Sequence, residues 1–169
     1  MKTDKILVSV VMGSDSDLGI MEEATKILKD FGVPYEVVLT SAHRSPERTS
    51  AFAKQAAQRG VCVVIVGAGA AAHLAGVIAS QTVLPVIGVP IDATALQGLD
   101  ALLATVQMPG GVPVAAMAIG KAGAKNAALM AIRILSLTDD DIRKKLNGYI
   151  QNMARDVERK QANLNAANP

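Results

Sequence analysis

Hydrophobic residues in this chain change their period again and again, and that alternation excludes most folds. Ile6-Leu7-Val8-Ser9-Val10-Val11 is an apolar run of strand length, ended by Gly13. From Asp17 to Phe31 the spacing turns helical, with Leu18, Met21, Ala24, Ile27 and Leu28 on one face and Gly32 as the stop. Tyr35 to Leu39 reads as a second strand. Ser45-Pro46-Glu47 then supplies an N-cap, a proline at the first helical position and an acid in the first turn of a helix that runs to Arg59 and ends at Gly60. The same reading predicts strands over 61–66, 85–89 and 112–119, and helices over 70–81, 94–106 and 122–137. Strands that are continuous apolar runs, separated by helices, are covered on both faces. The expected fold is therefore α/β: a doubly wound parallel sheet, a three-layer sandwich of flavodoxin or Rossmann type. One domain over 1–169 is expected, with its core over about 5–137.

The last stretch has another character. Thr138-Asp139-Asp140-Asp141 has the look of a capping box, and Ile142, Leu146, Tyr149, Ile150, Met153 and Val157 follow at spacings of three and four. An amphipathic helix over about 139–163 must bury its stripe on its own domain or on a neighbouring subunit. Asn163 to Pro169 reads as frayed.

Composition narrows the function classes. Half of the 169 residues are hydrophobic and 19% are charged, which excludes a disordered chain. A net charge of +2 and only 2% aromatics leave neither the charge nor the stacking platforms of a nucleic-acid binder. One cysteine permits no internal disulfide, and with two histidines it makes no metal site without distant carboxylates. Alanine and glycine together supply 28 and 14 residues, so the core is built from small and aliphatic side chains. Val61 to Ser80 is long enough to cross a membrane, but Gly67-Ala68-Gly69 breaks it, and a buried strand followed by a buried helix accounts for it better. No signal peptide is visible, so the expected location is the cytoplasm.

In an open α/β sheet, ligands sit at the carboxyl ends of the strands. After the first strand comes Gly13-Ser14-Asp15-Ser16-Asp17. A glycine turn with helix caps explains part of it, but one cap suffices and here there are two hydroxyls and two carboxylates. Serines at a helix N-terminus suit an anion, and a carboxylate beside them suits ribose hydroxyls, a pairing that fits a sugar phosphate. After the second strand comes Thr40-Ser41-Ala42-His43-Arg44. Because Ser45-Pro46-Glu47 accounts for the helix, His43 and Arg44 are either a solvated pair or a proton carrier beside a phosphate fork. After the third strand comes Gly67-Ala68-Gly69-Ala70-Ala71-Ala72-His73-Leu74. It matches a loose dinucleotide fingerprint with Asp92 as ribose acid; alternatively its glycines let a backbone approach a small planar ligand. His73 is there either a satisfied core histidine or a site residue.

Taken together, Val11-Met12-Gly13-Ser14-Asp15-Ser16-Asp17, Ser41-Ala42-His43-Arg44-Ser45-Pro46, Ala71-Ala72-His73-Leu74 behind Gly67-Ala68-Gly69, and Val106 to Val114 resemble the class I, bacterial-type family of N5-carboxyaminoimidazole ribonucleotide mutases. The resemblance spans roughly Ile6 to Leu137. It implies a reversible shift of a carboxylate from N5 to C4 of an aminoimidazole ribonucleotide in de novo purine synthesis, without cofactor or metal. By the same resemblance His43 moves the proton at C4, and Ser14, Ser16, Asp17, Ser41, Ala42 and Arg44 bind the ribonucleotide, with Ser16 and Arg44 near its phosphate and Asp17 at its ribose. Gly69, Ala70, His73 and Leu74 hold the migrating carboxylate or the CO2 released midway. The family also implies a homo-octamer, and no nucleic-acid or membrane partner. Where the family has Gly-Gly-Ala-Ala-His-Leu-Pro-Gly, this chain has Ala70 and Ala75 at the second and seventh positions, and Ala70 lacks the freedom of glycine at positive φ. Two rivals stand beside the mutase: a direct aminoimidazole ribonucleotide carboxylase using CO2, and a non-catalytic nucleotide-binding module.

Overall fold

A computed structural model describes residues 5–167 of the chain. Five strands, β1 (Val8–Met12), β2 (Tyr35–Leu39), β3 (Val63–Gly69), β4 (Val86–Ile91) and β5 (Ala115–Ala116), pair in parallel in the order β2-β1-β3-β4-β5. The helices are α1 (Leu18–Phe31), α2 (Pro46–Ala56), α3 (Leu74–Ala79), α4 (Leu99–Val106), α5 (Gly120–Leu135) and α6 (Asp140–Ala167). The chain divides into two compact units between Ala131 and Ile132.

In the first unit the sheet is covered on both faces, as the unbroken apolar strands require. Val64, Val66 and Ala68 of β3 join a core with Ala53 and Ala56 of α2, Leu74, Ala75 and Ile78 of α3 and Ala101 of α4. The alternate residue Gly67 faces the other way, where a Cβ would collide with the sulfur of Met21 on α1. Gly88 of β4 is held free of a side chain by Thr105 of α4. Small residues at these places let helix and sheet close together. On the edge strand β2, Glu36 accepts Ser9 Oγ–H at 2.7 Å and both Arg59 Nη groups at 2.8 and 2.7 Å. The Arg59 fork, helped by Ser9 and opposed by partial burial, holds the Glu36 carboxyl below the usual glutamate range.

Several boundaries differ from the sequence reading, each for a local reason. The helix expected from Ala70 starts only at Leu74, because Ala70 sits at φ 52°, outside the right-handed region. The helix expected from Thr94 starts at Leu99, because Gln97 and Gly98 take φ of 51° and 83° in succession. The fifth strand shrinks to Ala115–Ala116, with Met117 N–H still reaching the Gly88 carbonyl at 2.8 Å. The second helix ends at Ala56 rather than Arg59.

In the second unit the cap of α6 is Asp139, not Thr138: its Oδ1 accepts the Asp141 and Ile142 N–H groups at 2.9 and 3.0 Å. Ile142 and Leu146 are buried, whereas Ile150, Met153, Val157 and Leu164 are exposed. The helix continues to Ala167, past the expected fraying point; Asn168 and Pro169 lie outside the described residues. No helix among the described residues is long and apolar enough to cross a membrane. The run over 61–80 divides into β3, a turn and α3.

Candidate active site

The strand order reverses between β1 and β3: β2 lies on one side of β1, and β3 to β5 continue on the other. At such a switch point the loops after the two central strands splay apart and leave a crevice at the carboxyl edge. A pocket of about 320 Å³ opens there, entirely within the first unit. It is lined by Ser14, Ser16 and Asp17 after β1, by Ser41, Ala42, His43 and Arg44 after β2, and by Gly69, Ala70 and Leu74 at the end of β3 and the start of α3.

Each loop is held by its own hydrogen bonds. Ser14 and Asp17 form a capping box around the short 3-10 turn Asp15–Asp17, with Ser14 N–H donating to Asp17 Oδ2 at 3.1 Å. Ser16 Oγ–H donates to Ser14 Oγ at 2.9 Å. Asp17 is buried, 5% exposed. Burial pushes its carboxyl above the usual aspartate range, a rise restrained by the Ser14 N–H, the Ser16 hydroxyl, the Gly13 backbone and the charge of Arg44. The cap and the site share the same atoms here, so neither reading of this loop displaces the other.

The second loop is a closed ring. Ser45 N–H donates to the Ser41 carbonyl at 2.9 Å, Arg44 N–H to Ser41 Oγ at 3.2 Å, and Ser41 N–H to Ser45 Oγ at 3.0 Å. Ser45 precedes α2 and Pro46 follows at the first turn, but its hydroxyl faces back to Ser41 instead of capping forward. Beneath it, buried Thr40 and Thr49 bond through their hydroxyls at 2.8 Å. The ring presents His43 and Arg44 outward, and Arg44 Nη2 reaches across to the Gly13 carbonyl at 2.9 Å.

The third loop carries Ala70 in its left-handed conformation, followed by close backbone bonds from Ala72 to Ala70 and from His73 to Ala71 at 2.8 and 2.7 Å. His73 does not line the pocket. It is exposed, which removes the core-histidine reading, and its Nδ1 stands 2.9 Å from His43 Nε2, the rings edge to face with centroids 5.0 Å apart. A hydrogen bond between two imidazoles takes one proton between the facing nitrogens, so His73 constrains the tautomer and orientation of His43.

Gly13, Ala68 and Ala71, which also line the pocket, fall within the loops the sequence points to, but Ala93 does not. Ala93 is the instructive omission: the loop after β4 was read only for Asp92, a charged group, while the wall there is a methyl. A Cβ on Gly69 would come within 2.6 Å of the Ala93 Cβ, so the signal lay in Gly69, whose bareness admits a neighbour. The dinucleotide fingerprint does not survive. Gly67 is inside β3 and faces Met21, rather than forming a phosphate turn, and Asp92 does not reach the pocket. Among the described residues, no three His, Cys, Asp or Glu side chains gather as metal ligands would.

An open α/β sheet with a polar crevice at its switch point defines a ligand-binding α/β domain. Comparison with known proteins narrows it. Residues 7–156 match the AIR carboxylase family, and the chain belongs to that family. It is 58% identical over 164 residues to the N5-carboxyaminoimidazole ribonucleotide mutase of Pyrococcus horikoshii, covering 97% of this chain and 92% of that protein. It is 50% identical to the phosphoribosylaminoimidazole carboxylase of Saccharomyces cerevisiae, covering 90% of this chain and 26% of that longer protein. The solved structure of PurE from Treponema denticola superposes with a TM-score of 0.85 at 30% identity, covering 94% of this chain and 98% of that one.

Proposed function

We propose that this chain catalyses the reversible conversion of N5-carboxyaminoimidazole ribonucleotide to 4-carboxy-5-aminoimidazole ribonucleotide, a step of purine (IMP) synthesis, as a cofactor-independent mutase of the cytoplasm. The observation that carries the reading is the arrangement around one pocket: a proton carrier, His43, and a guanidinium, Arg44, on one rigid loop, facing the hydroxyls and carboxylate of Ser14, Ser16 and Asp17 and the small Gly69-Ala70 wall. That set matches the parts of the substrate. Ser16 and Arg44 take the phosphate, Asp17 accepts from the ribose hydroxyls, and Ser14, Ser41 and Ala42 complete the cradle. Gly69, Ala70 and Leu74 border the carboxylate, while His73, outside the pocket lining, holds His43.

The chemistry then balances with one acid-base group. The bond between N5 and the carboxyl carbon breaks, releasing CO2, and N5 takes a proton from His43. C4 adds to the CO2 carbon, and the proton that C4 loses goes to His43, restoring the enzyme. Proton transfer by a placed group contributes about 10²–10⁴-fold. Keeping the CO2 beside C4 in a pocket walled by Ala68, Ala70, Ala71 and Ala93 supplies effective concentration in place of a second encounter.

Residues 1–169 act in this reading as one domain of a homo-octamer. Its oligomeric part is supported by exposed apolar residues: Leu96 just before α4, Leu99, Leu103 and Val106 along it, and Ile150, Met153 and Val157 along α6.

A second reading, direct carboxylation of aminoimidazole ribonucleotide by CO2, is favoured by the name of the yeast relative. An assay without ATP separates them. One cell receives N5-carboxyaminoimidazole ribonucleotide, the other aminoimidazole ribonucleotide with modest bicarbonate, and His43→Asn serves as the control. The mutase gives C4-carboxylated product rapidly only in the first cell. Product only in the second means a direct carboxylase, and product in neither removes both readings.

A further inference from the structure

The pocket described above has an extension that the mutase reading does not use. A second, more open hollow of about 500 Å³ shares Ser14, Ser41 and Arg44 with the first and adds Asp15, Ser45 and Arg48. Arg48 lies in the first turn of α2, beyond the Ser41–Ser45 ring. Arg59, Arg143 and Arg159 are each tied to a carboxylate. Arg48 is exposed and has neither an ion pair nor a hydrogen-bond partner among the described residues. An unengaged guanidinium on the wall of a hollow continuous with a ribonucleotide pocket is placed to meet an anion.

We propose that Arg48 is a second phosphate-binding cation of this site, taking the substrate's phosphate between itself and Arg44. The inference rests on the ribonucleotide reading given above and adds a residue that reading lacks. A phosphate monoester carries about −1.5 to −2 near neutral pH, more than one guanidinium balances. Arg44 is in addition partly committed, with Nη2 on the Gly13 carbonyl at 2.9 Å. The one carboxylate on the hollow, Asp15, is turned into its own loop, with Oδ1 accepting Ser16 N–H at 3.1 Å and Ser14 Oγ–H at 3.2 Å. Ser41 Oγ accepts the Arg44 N–H at 3.2 Å, which leaves its own hydrogen for an oxygen anion. Two guanidiniums and a hydroxyl donor thus face one hollow, and because Arg48 is exposed its share falls as salt rises.

The test compares wild type with Arg48→Gln and Arg48→Lys. Turnover of N5-carboxyaminoimidazole ribonucleotide is measured alongside competitive inhibition by ribose 5-phosphate, with ribose as the uncharged control. In Arg48→Gln, KM and the ribose 5-phosphate Ki rise about tenfold, as loss of one charged hydrogen bond implies, while kcat stays within about twofold. Arg48→Lys recovers most of the loss, and ribose distinguishes none of the three. Unchanged KM and Ki in Arg48→Gln overturn the proposal, as does a fall in kcat at constant KM. If wild type does not turn over the ribonucleotide, the reading beneath fails instead; calorimetric binding of ribose 5-phosphate to wild type and Arg48→Gln then still decides the role of Arg48.

Discussion

Ala70 shows what one side chain costs at a functional turn. Its φ of 52° places a Cβ in the left-handed region, a penalty of roughly 1–2 kcal/mol for a non-glycine residue. Glycine removes that penalty but adds unfolded-state freedom worth roughly 0.5–1 kcal/mol, so Ala70→Gly is expected to stabilise the protein by roughly 0.5–1 kcal/mol. Urea denaturation measures it; destabilisation would mean that the methyl packs better than its backbone suffers. On the proposed reading, Arg44→Ala removes a charge-assisted contact to substrate worth about 1.5–3 kcal/mol, and KM should rise about 10- to 150-fold. An unchanged KM would place the phosphate elsewhere. At this scale the charged and hydroxyl residues were legible, because His43, Arg44 and the extra serines exceeded what caps and turns require. The wall after β4 was not: Ala93 matters by being small, and smallness leaves no mark on a sequence already rich in alanine. Nor does a sequence show that two histidines thirty positions apart meet at 2.9 Å.

The elements show which signals travel. Apolar runs flanked by glycine located β1, β2 and the body of β3, and proline at the first turn located α2, because those signals are local. The starts of α3 and α4 were read too early, since Ala70 and Gln97 are non-glycine residues that tertiary structure holds at positive φ. β2, paired with β1, also carries a charged partnership across elements, the fork from Arg59 to Glu36. The folded-state pKa of Glu36 is depressed, so its contribution is fully present above the unfolded value and is lost as pH falls through the folded one. Glu36→Gln should therefore be less stable than wild type by about 1 kcal/mol at pH 7. The gap should close in acid, below about pH 4. Thermal unfolding across pH follows this directly, and a gap that stays constant into acid would mean that lost packing rather than lost charge is responsible.

Across the whole molecule, the parallel doubly wound sheet followed from the alternation of strand and helix, and the position of the site followed from the sheet, because a reversal of strand order leaves one crevice at the carboxyl edge. The proposed assembly rests on a subtler trace. Leu96, Leu99, Leu103 and Val106 fall at helical spacing, as a core-facing stripe would, yet they are between 49% and 62% exposed. Sequence periodicity marks an apolar face but does not tell a core-facing stripe from one left exposed on the single chain. Leu103→Glu, at a position already in water in the single chain, should leave folding intact and reduce the mass measured by light scattering. An unaltered mass would show that α4 does not lie in a subunit contact.

The central claim is that the carboxylate moves within one pocket rather than being drawn from solution. Labelling the N5-carboxylate of the substrate with carbon-13 and running the reaction in unlabelled bicarbonate tests it most directly. A trapped CO2 predicts that most of the label appears in the C4-carboxylate of the product. Label diluted to the level of the bicarbonate pool would contradict it, since the carbon would then have come from solution.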